Sequence, residues 1–185
     1  AGQKCTAVRR ILVPEPHIDA FQESLIAQLS KTVIGDPSVE GVRMGALVGC
    51  SQRDDVISQV SKLSSESDIV FGSTSNSDLS LVGASAEVGT FMSPILLRVK
   101  DSSNAVNVHE IEAFGPVSSV MSYNKVEEAV ALSKKGKGSL CCSITTHDQS
   151  VATEFVRNAA SMHGRILVLD RECAKESTGH GSPLP

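Results

Sequence analysis

The chain has no tryptophan and one tyrosine, and aromatic residues make up 3% of its 185 residues. A row of rings on which nucleic-acid bases could stack is therefore excluded. A surplus of positive charge is missing too, since the formal net charge is −4. That balance argues against nucleic acid or an anionic membrane as partner. No apolar run approaches the ~20 residues that cross a bilayer, and no secretory leader is visible. The five cysteines, Cys5, Cys50, Cys141, Cys142 and Cys173, are odd in number and form no C-x-x-C pair. This spacing speaks against a zinc ribbon or a thioredoxin-type site, and a reducing, cytoplasmic setting is the simplest one. Asp54 and Asp55 have no His/Asp/Glu cluster around them, so no metal is expected. The glycines do not spell a phosphate-binding fingerprint, so no dinucleotide-binding fold is expected within these residues. A starting methionine is also absent, and the chain ends on Ser182-Pro183-Leu184-Pro185. The expectation is a piece of a longer protein.

What is present is a globular pattern. Hydrophobic residues make up 41%, enough to rule out general disorder. The length suggests one domain, residues 1–185. Residues 8–13 read as a strand that mixes β-branched residues with Arg9 and Arg10. Residues 17–31 carry Ile18, Phe21, Leu25, Ile26 and Leu29 on one helical stripe. Residues 51–63 form a second amphipathic helix, with Ser51 as the expected N-cap and Asp54 and Asp55 in its first turn. Residues 69–71 are a short strand in a Ser- and Gly-rich stretch. Residues 90–99 read as a buried strand interrupted by Pro94, which predicts an edge position or a bulge. Residues 117–123 form a further strand. The last third alternates helix 125–134, strand 140–145, helix 149–163 and strand 165–169. Such alternation implies an α/β fold with a parallel sheet and right-handed crossovers. The Cys141-Cys142 pair sits in an apolar strand and reads as core packing.

Two segments carry the chemistry. In Gly2-Gln3-Lys4-Cys5-Thr6-Ala7 a cysteine lies among small, polar residues just before the first strand. Small neighbours let a carbonyl group approach sulfur and backbone closely. The backbone N–H of such a cysteine could help hold a developing oxyanion. On composition alone, Cys5 is equally one small hydrophobe among five cysteines. The second segment is Glu112-Ala113-Phe114-Gly115-Pro116, where Gly115 and Pro116 supply a turn. A solvated Glu112 beside a buried Phe114 is the plain alternative there.

Together, in this order and about a hundred residues apart, the two segments resemble the nucleophile and Glu-x-Phe-Gly-Pro motifs of the aldehyde dehydrogenase superfamily. The closing stretch, Lys175 to Pro185, resembles the bifunctional ring-opening members of that family from bacterial phenylacetate degradation. The resemblance covers essentially the whole chain. It implies a three-layer αβα catalytic domain with a mostly parallel sheet. It implies that Cys5 attacks an aldehyde, that the substrate is a CoA-linked semialdehyde, and that NADP or NAD accepts the hydride. Glu112 would bind the nicotinamide ribose and Phe114 would line the coenzyme site. Gln52 matches a position where many members carry a coenzyme-contacting glutamine. The family's general base, its oxyanion asparagine and its dinucleotide-binding domain would lie outside these residues. Homo-oligomers are implied for the longer protein. Two other readings stand beside this one, a catalytically silent folding unit and a redox-sensing thiol at Cys5.

Overall fold

The apolar run that Pro94 opens becomes the central strand of a sheet. The computed structural model describes residues 1–76 and 79–173; the family-like closing stretch, Lys175 to Pro185, lies outside the described residues. The first compact unit is Ala1–Ser122 and the second begins at Tyr123. The first runs β1 (Arg10–Pro14), a 3-10 turn (Glu15–His17), α1 (Ile18–Leu29), β2 (Ile34–Gly35), α2 (Cys50–Leu63) and β3 (Ser67–Phe71). It continues with β4 (Leu81–Val82), β5 (Ile95–Val99), the short α3 (Asn107–Glu110) and β6 (Val117–Tyr123).

Four strands form the main sheet in the order β1-β6-β5-β3. β5 runs parallel to β6, with Ile95 opposite Val117, and antiparallel to β3. Successive side chains of a strand point to opposite faces, and each face finds a helix. Ile95, Leu97 and Val99 pack with Val117, Met121 and the α2 residues Val56, Val60 and Leu63. Leu96 and Val120 point the other way, against Val13, Ile18 and the α1 residues Leu25, Ile26 and Leu29. The unit is thus helix, sheet, helix, which bears out the three-layer α/β expectation. Leu96, Leu97, Val120 and Met121 are fully buried, each stabilising by about 1.5–3 kcal/mol.

Three local expectations are corrected. β5 is not an edge strand, because it pairs on both sides. Pro94 costs no ladder bond, since the ladder opens one residue later with the Ile95 N–H donating to Pro116 O at 2.7 Å. The register irregularity falls on the partner strand instead, between Ile69 and Phe71. Ser51 is not the N-cap of α2: extended Gly49 holds that position with no side-chain cap, and Ser51 is already helical. The earlier start leaves no acidic residue in the first turn, so Asp54 and Asp55 lie beyond it. Phe21 sits at the flank of the α1 stripe, 37% exposed, while Ile18 is buried.

The second unit comprises α4 (Val126–Lys134), β7 (Cys142–Thr145), α5 (Gln149–Ala159), a 3-10 turn (Ala160–Met162) and β8 (Ile166–Leu169). β7 and β8 pair in parallel around the α5 crossover, as the alternation implies. Val130, Phe155 and Ala159 make its core, joined by partly buried Val126, Cys142, Ile144 and Ile166. Asp148 caps α5 by accepting from the N–H groups of Ser150 and Val151. The Ser150 hydroxyl and those N–H groups hold the Asp148 carboxyl below the usual carboxylate range. Among the described residues no helix is long and apolar enough to cross a membrane.

Candidate active site

Cys5 sits at the top of a tight turn. The Ala7 N–H donates to Lys4 O at 2.9 Å, and the Lys4 N–H donates to Gly2 O at 2.9 Å. These bonds do not use the Cys5 N–H, and the Cys5 side chain is exposed. The turn is anchored on both sides. Gln3 Oε1 accepts from the Val48 N–H at 3.0 Å, just ahead of α2. Gly2 adopts φ +68°, and a Cβ placed on it would collide with the carbonyl oxygen of Gly115. Glycine is therefore required at residue 2 both by backbone conformation and by close approach.

Gly115 in turn rests on α2, where a Cβ would come within 2.6 Å of Val56 Cγ2. The segment before it alternates: Glu112 exposed, Ala113 buried, Phe114 exposed, Gly115 buried. Glu112 and Phe114 are thus the solvent-exposed residues of the segment. Phe114 adopts φ +50°, so the left-handed residue of the motif is the phenylalanine and not the glycine after it. Gln52 Nε2 donates to Phe114 O at 3.0 Å.

The strand that leaves the Cys5 turn holds the same segment from its other end. Arg9 Nη1 donates to Ile111 O at 3.0 Å and Arg9 Nη2 to His109 O at 3.2 Å. Arg10 Nη1 lies 2.8 Å from Nδ1 of buried His109. The Ser118 hydroxyl donates to Val8 O at 2.7 Å and the Ser119 N–H to Arg9 O at 2.9 Å. The four residues singled out in the sequence, Cys5, Gln52, Glu112 and Phe114, therefore lie on segments joined by direct contacts. Arg9 is the residue that motif reasoning passed over. Its signal was a pair of arginines, Arg9 and Arg10, leading into an apolar strand, and its explanation is the pair of carbonyls leading into Glu112.

The arrangement offers an exposed thiol in one turn, and an exposed carboxylate and an exposed ring on a segment that this turn touches through Gly2 and Gly115. All five cysteines are free thiols. The family model described as the aldehyde dehydrogenase family matches residues 1–177. The chain is 38% identical over its whole length to a 3,4-dehydroadipyl-CoA semialdehyde dehydrogenase from Aromatoleum evansii, of which it covers 35%. It is 42% identical over 77% of its length to the protein MaoC of Klebsiella aerogenes, of which it covers 40%. Among solved structures, an NAD-dependent aldehyde dehydrogenase from Sinorhizobium meliloti superposes with TM-score 0.78 at 26% identity, covering 91% of this chain and 31% of that one. A variant of betaine aldehyde dehydrogenase from Staphylococcus aureus in complex with NAD+ superposes with TM-score 0.80 over 92% of this chain and 33% of its own, at 24% identity. That last likeness concerns the fold alone. The chain spans 35% to 40% of the length of the curated relatives named here.

Proposed function

The chain belongs to the aldehyde dehydrogenase family, and from that premise we propose that it is the nucleophile-bearing catalytic domain of a longer enzyme that oxidises a CoA-linked semialdehyde to its acid. The observation that carries the proposal is the contact of Gly2 with the Gly115 carbonyl. It brings the Cys5 turn against the Glu112–Phe114 segment, although the two are far apart in sequence.

In the proposed reaction the Cys5 thiolate attacks the aldehyde carbon, and a C–S bond forms as the carbonyl π bond becomes an oxyanion. The Cys5 N–H, not used by the turn, is a donor suited to that oxygen. A bound nicotinamide coenzyme supplies the acceptor for the hydride that leaves the same carbon. Cys5 then holds the acyl group as a thioester, and water releases the acid and returns the thiol. Glu112 and Phe114 suit such a coenzyme. An exposed carboxylate can accept from two ribose hydroxyls, and the Phe114 ring is 41% exposed. Free cysteines fit a reducing, cytoplasmic setting.

The substrate class is supported by the likeness to the 3,4-dehydroadipyl-CoA semialdehyde dehydrogenase of Aromatoleum evansii and by the resemblance of the closing stretch. On that footing the reading extends to phenylacetate catabolism, to NADP as coenzyme with NAD as the other choice, and to a homo-oligomeric, multifunctional longer protein. The dinucleotide-binding domain and the general base are proposed to come from that longer protein.

The test is Cys5→Ala in the full-length protein that carries this chain. Semialdehyde oxidation should fall by about a thousandfold or more, with coenzyme binding and melting temperature retained. Turnover that survives the substitution overturns the proposal.

A further inference from the structure

We infer that Gln52 is a positioning residue, which orients the coenzyme-facing side of the site by holding Phe114 in its left-handed backbone conformation. The inference rests on the function proposed above, and it changes the role expected of Gln52 from direct coenzyme contact to support of Phe114.

Phe114 is in a conformation its own chemistry disfavours. At φ +50° the Cβ of an L-residue crowds the following carbonyl, and a bulky aromatic residue is a poor occupant of that region. Among the described residues one other non-glycine residue shares it, Lys137 at φ +58°. Lys137 follows the end of α4, where helices commonly close this way. Phe114 has no helix end to excuse it. Something outside the segment must over-determine it.

Two contacts from α2 do so. Gln52 donates its side-chain N–H to Phe114 O at 3.0 Å. Val56, one helical turn on, lies under Gly115. Residues 114 and 115 are therefore gripped by one face of a 14-residue helix. With Phe114 left-handed, its ring stands exposed, as does Glu112 two residues earlier. Relaxation to negative φ would reorient the peptide unit that Gln52 grips and re-aim the ring. One Gln52 N–H is thus engaged with the protein, and on this inference its effect reaches the coenzyme through Phe114.

The experiment measures coenzyme binding by fluorescence titration with NADP and with NAD, and steady-state kinetics, in the full-length protein. Gln52→Ala should raise the coenzyme Kd about tenfold, the factor expected for one backbone-directed hydrogen bond. The effect should fall in coenzyme Kd and KM more than in kcat. Gln52→Glu keeps size and acceptor oxygens but has no donor when ionised, so it should behave like Gln52→Ala. Phe114→Gly weakens binding through loss of the ring, yet glycine adopts the left-handed conformation unaided. Adding Gln52→Ala to Phe114→Gly should therefore cost nothing further. A full tenfold penalty in both backgrounds means that Gln52 touches the coenzyme itself and overturns the inference, as does a Gln52→Ala protein with unaltered Kd. A wild-type protein that binds neither coenzyme overturns the proposed function first, and this inference with it.

Discussion

β1 and β6 are neighbours in the first unit, though one opens it and the other closes it; β7 and β8 in the second are separated by α5 alone. The second unit is a local βαβ arrangement that its own pattern announces. The first is assembled by contacts that skip most of the chain, such as Arg9 to His109 and Ile111, Gln3 to Val48 and Gln52 to Phe114. All four candidate site residues belong to the first. The lesson is physical. Chemistry that needs a thiol, a carboxylate and a ring together requires segments from several elements, and only non-local packing brings them to one place. A local crossover needs none of that, and its helix and strands can be read from periodicity.

The comparison can be broken by perturbing the two cores separately. Phe155→Ala in the second unit should cost about 3–5 kcal/mol, and Leu97→Ala in the first about 2–5 kcal/mol, by urea denaturation. Phe155 and Leu97 are both buried. Hydrogen exchange should localise each loss to its own unit, α5 and β8 for Phe155, the main sheet for Leu97. Uniform loss of protection across both units in either variant would break the distinction between them.

A smaller effect tests the contact that defines the site. Gly2→Ala places a methyl group against the Gly115 carbonyl on a left-handed backbone, at a cost of about 1–3 kcal/mol. The turn can relieve this only by moving, so Cys5 reactivity toward iodoacetamide and dehydrogenase turnover should both change, while α5 exchange should not. Unaltered turnover and stability would show that the Gly2–Gly115 approach is dispensable.

The smallest effect belongs to the second unit and to pH. The Ser150 hydroxyl, then the Ser150 and Val151 N–H groups, hold the folded Asp148 carboxyl below its ordinary value. Its contribution is complete above the unfolded value of about 3.9 and is lost as pH falls through the lower folded value. Asp148→Asn keeps a capping oxygen but removes this titration. Melting of α5 between about pH 5 and about pH 2 should therefore be less acid-dependent in Asp148→Asn than in the wild type. Parallel acid profiles would show that the cap does not titrate with folding.

Much of the fold was legible because its main helices have one apolar stripe and its strands alternate. α1, α2, α4, α5 and β6 were all anticipated within a few residues. β2 and β4 were missed because two residues carry no period. α3 was missed because its start is stabilised from far away: the Glu66 carboxylate accepts from the Val106 and Val108 N–H groups. Pro94 misled because a proline inside an apolar run and a proline just before a strand look alike until the ladder is seen.

For the site, the sequence alone determined the candidates, through the family-like motifs in which they stand. Cys5 and Glu112 stand in motifs whose order and separation name the family, and no packing information was needed to find them. Tertiary structure alone decided how they are held. It made Phe114 the left-handed residue of its motif, gave Gln52 the Phe114 carbonyl as partner, and put Gly2 against Gly115. Each of these depends on a neighbour tens of residues away. A backbone conformation that its own side chain disfavours can be specified only by such a neighbour.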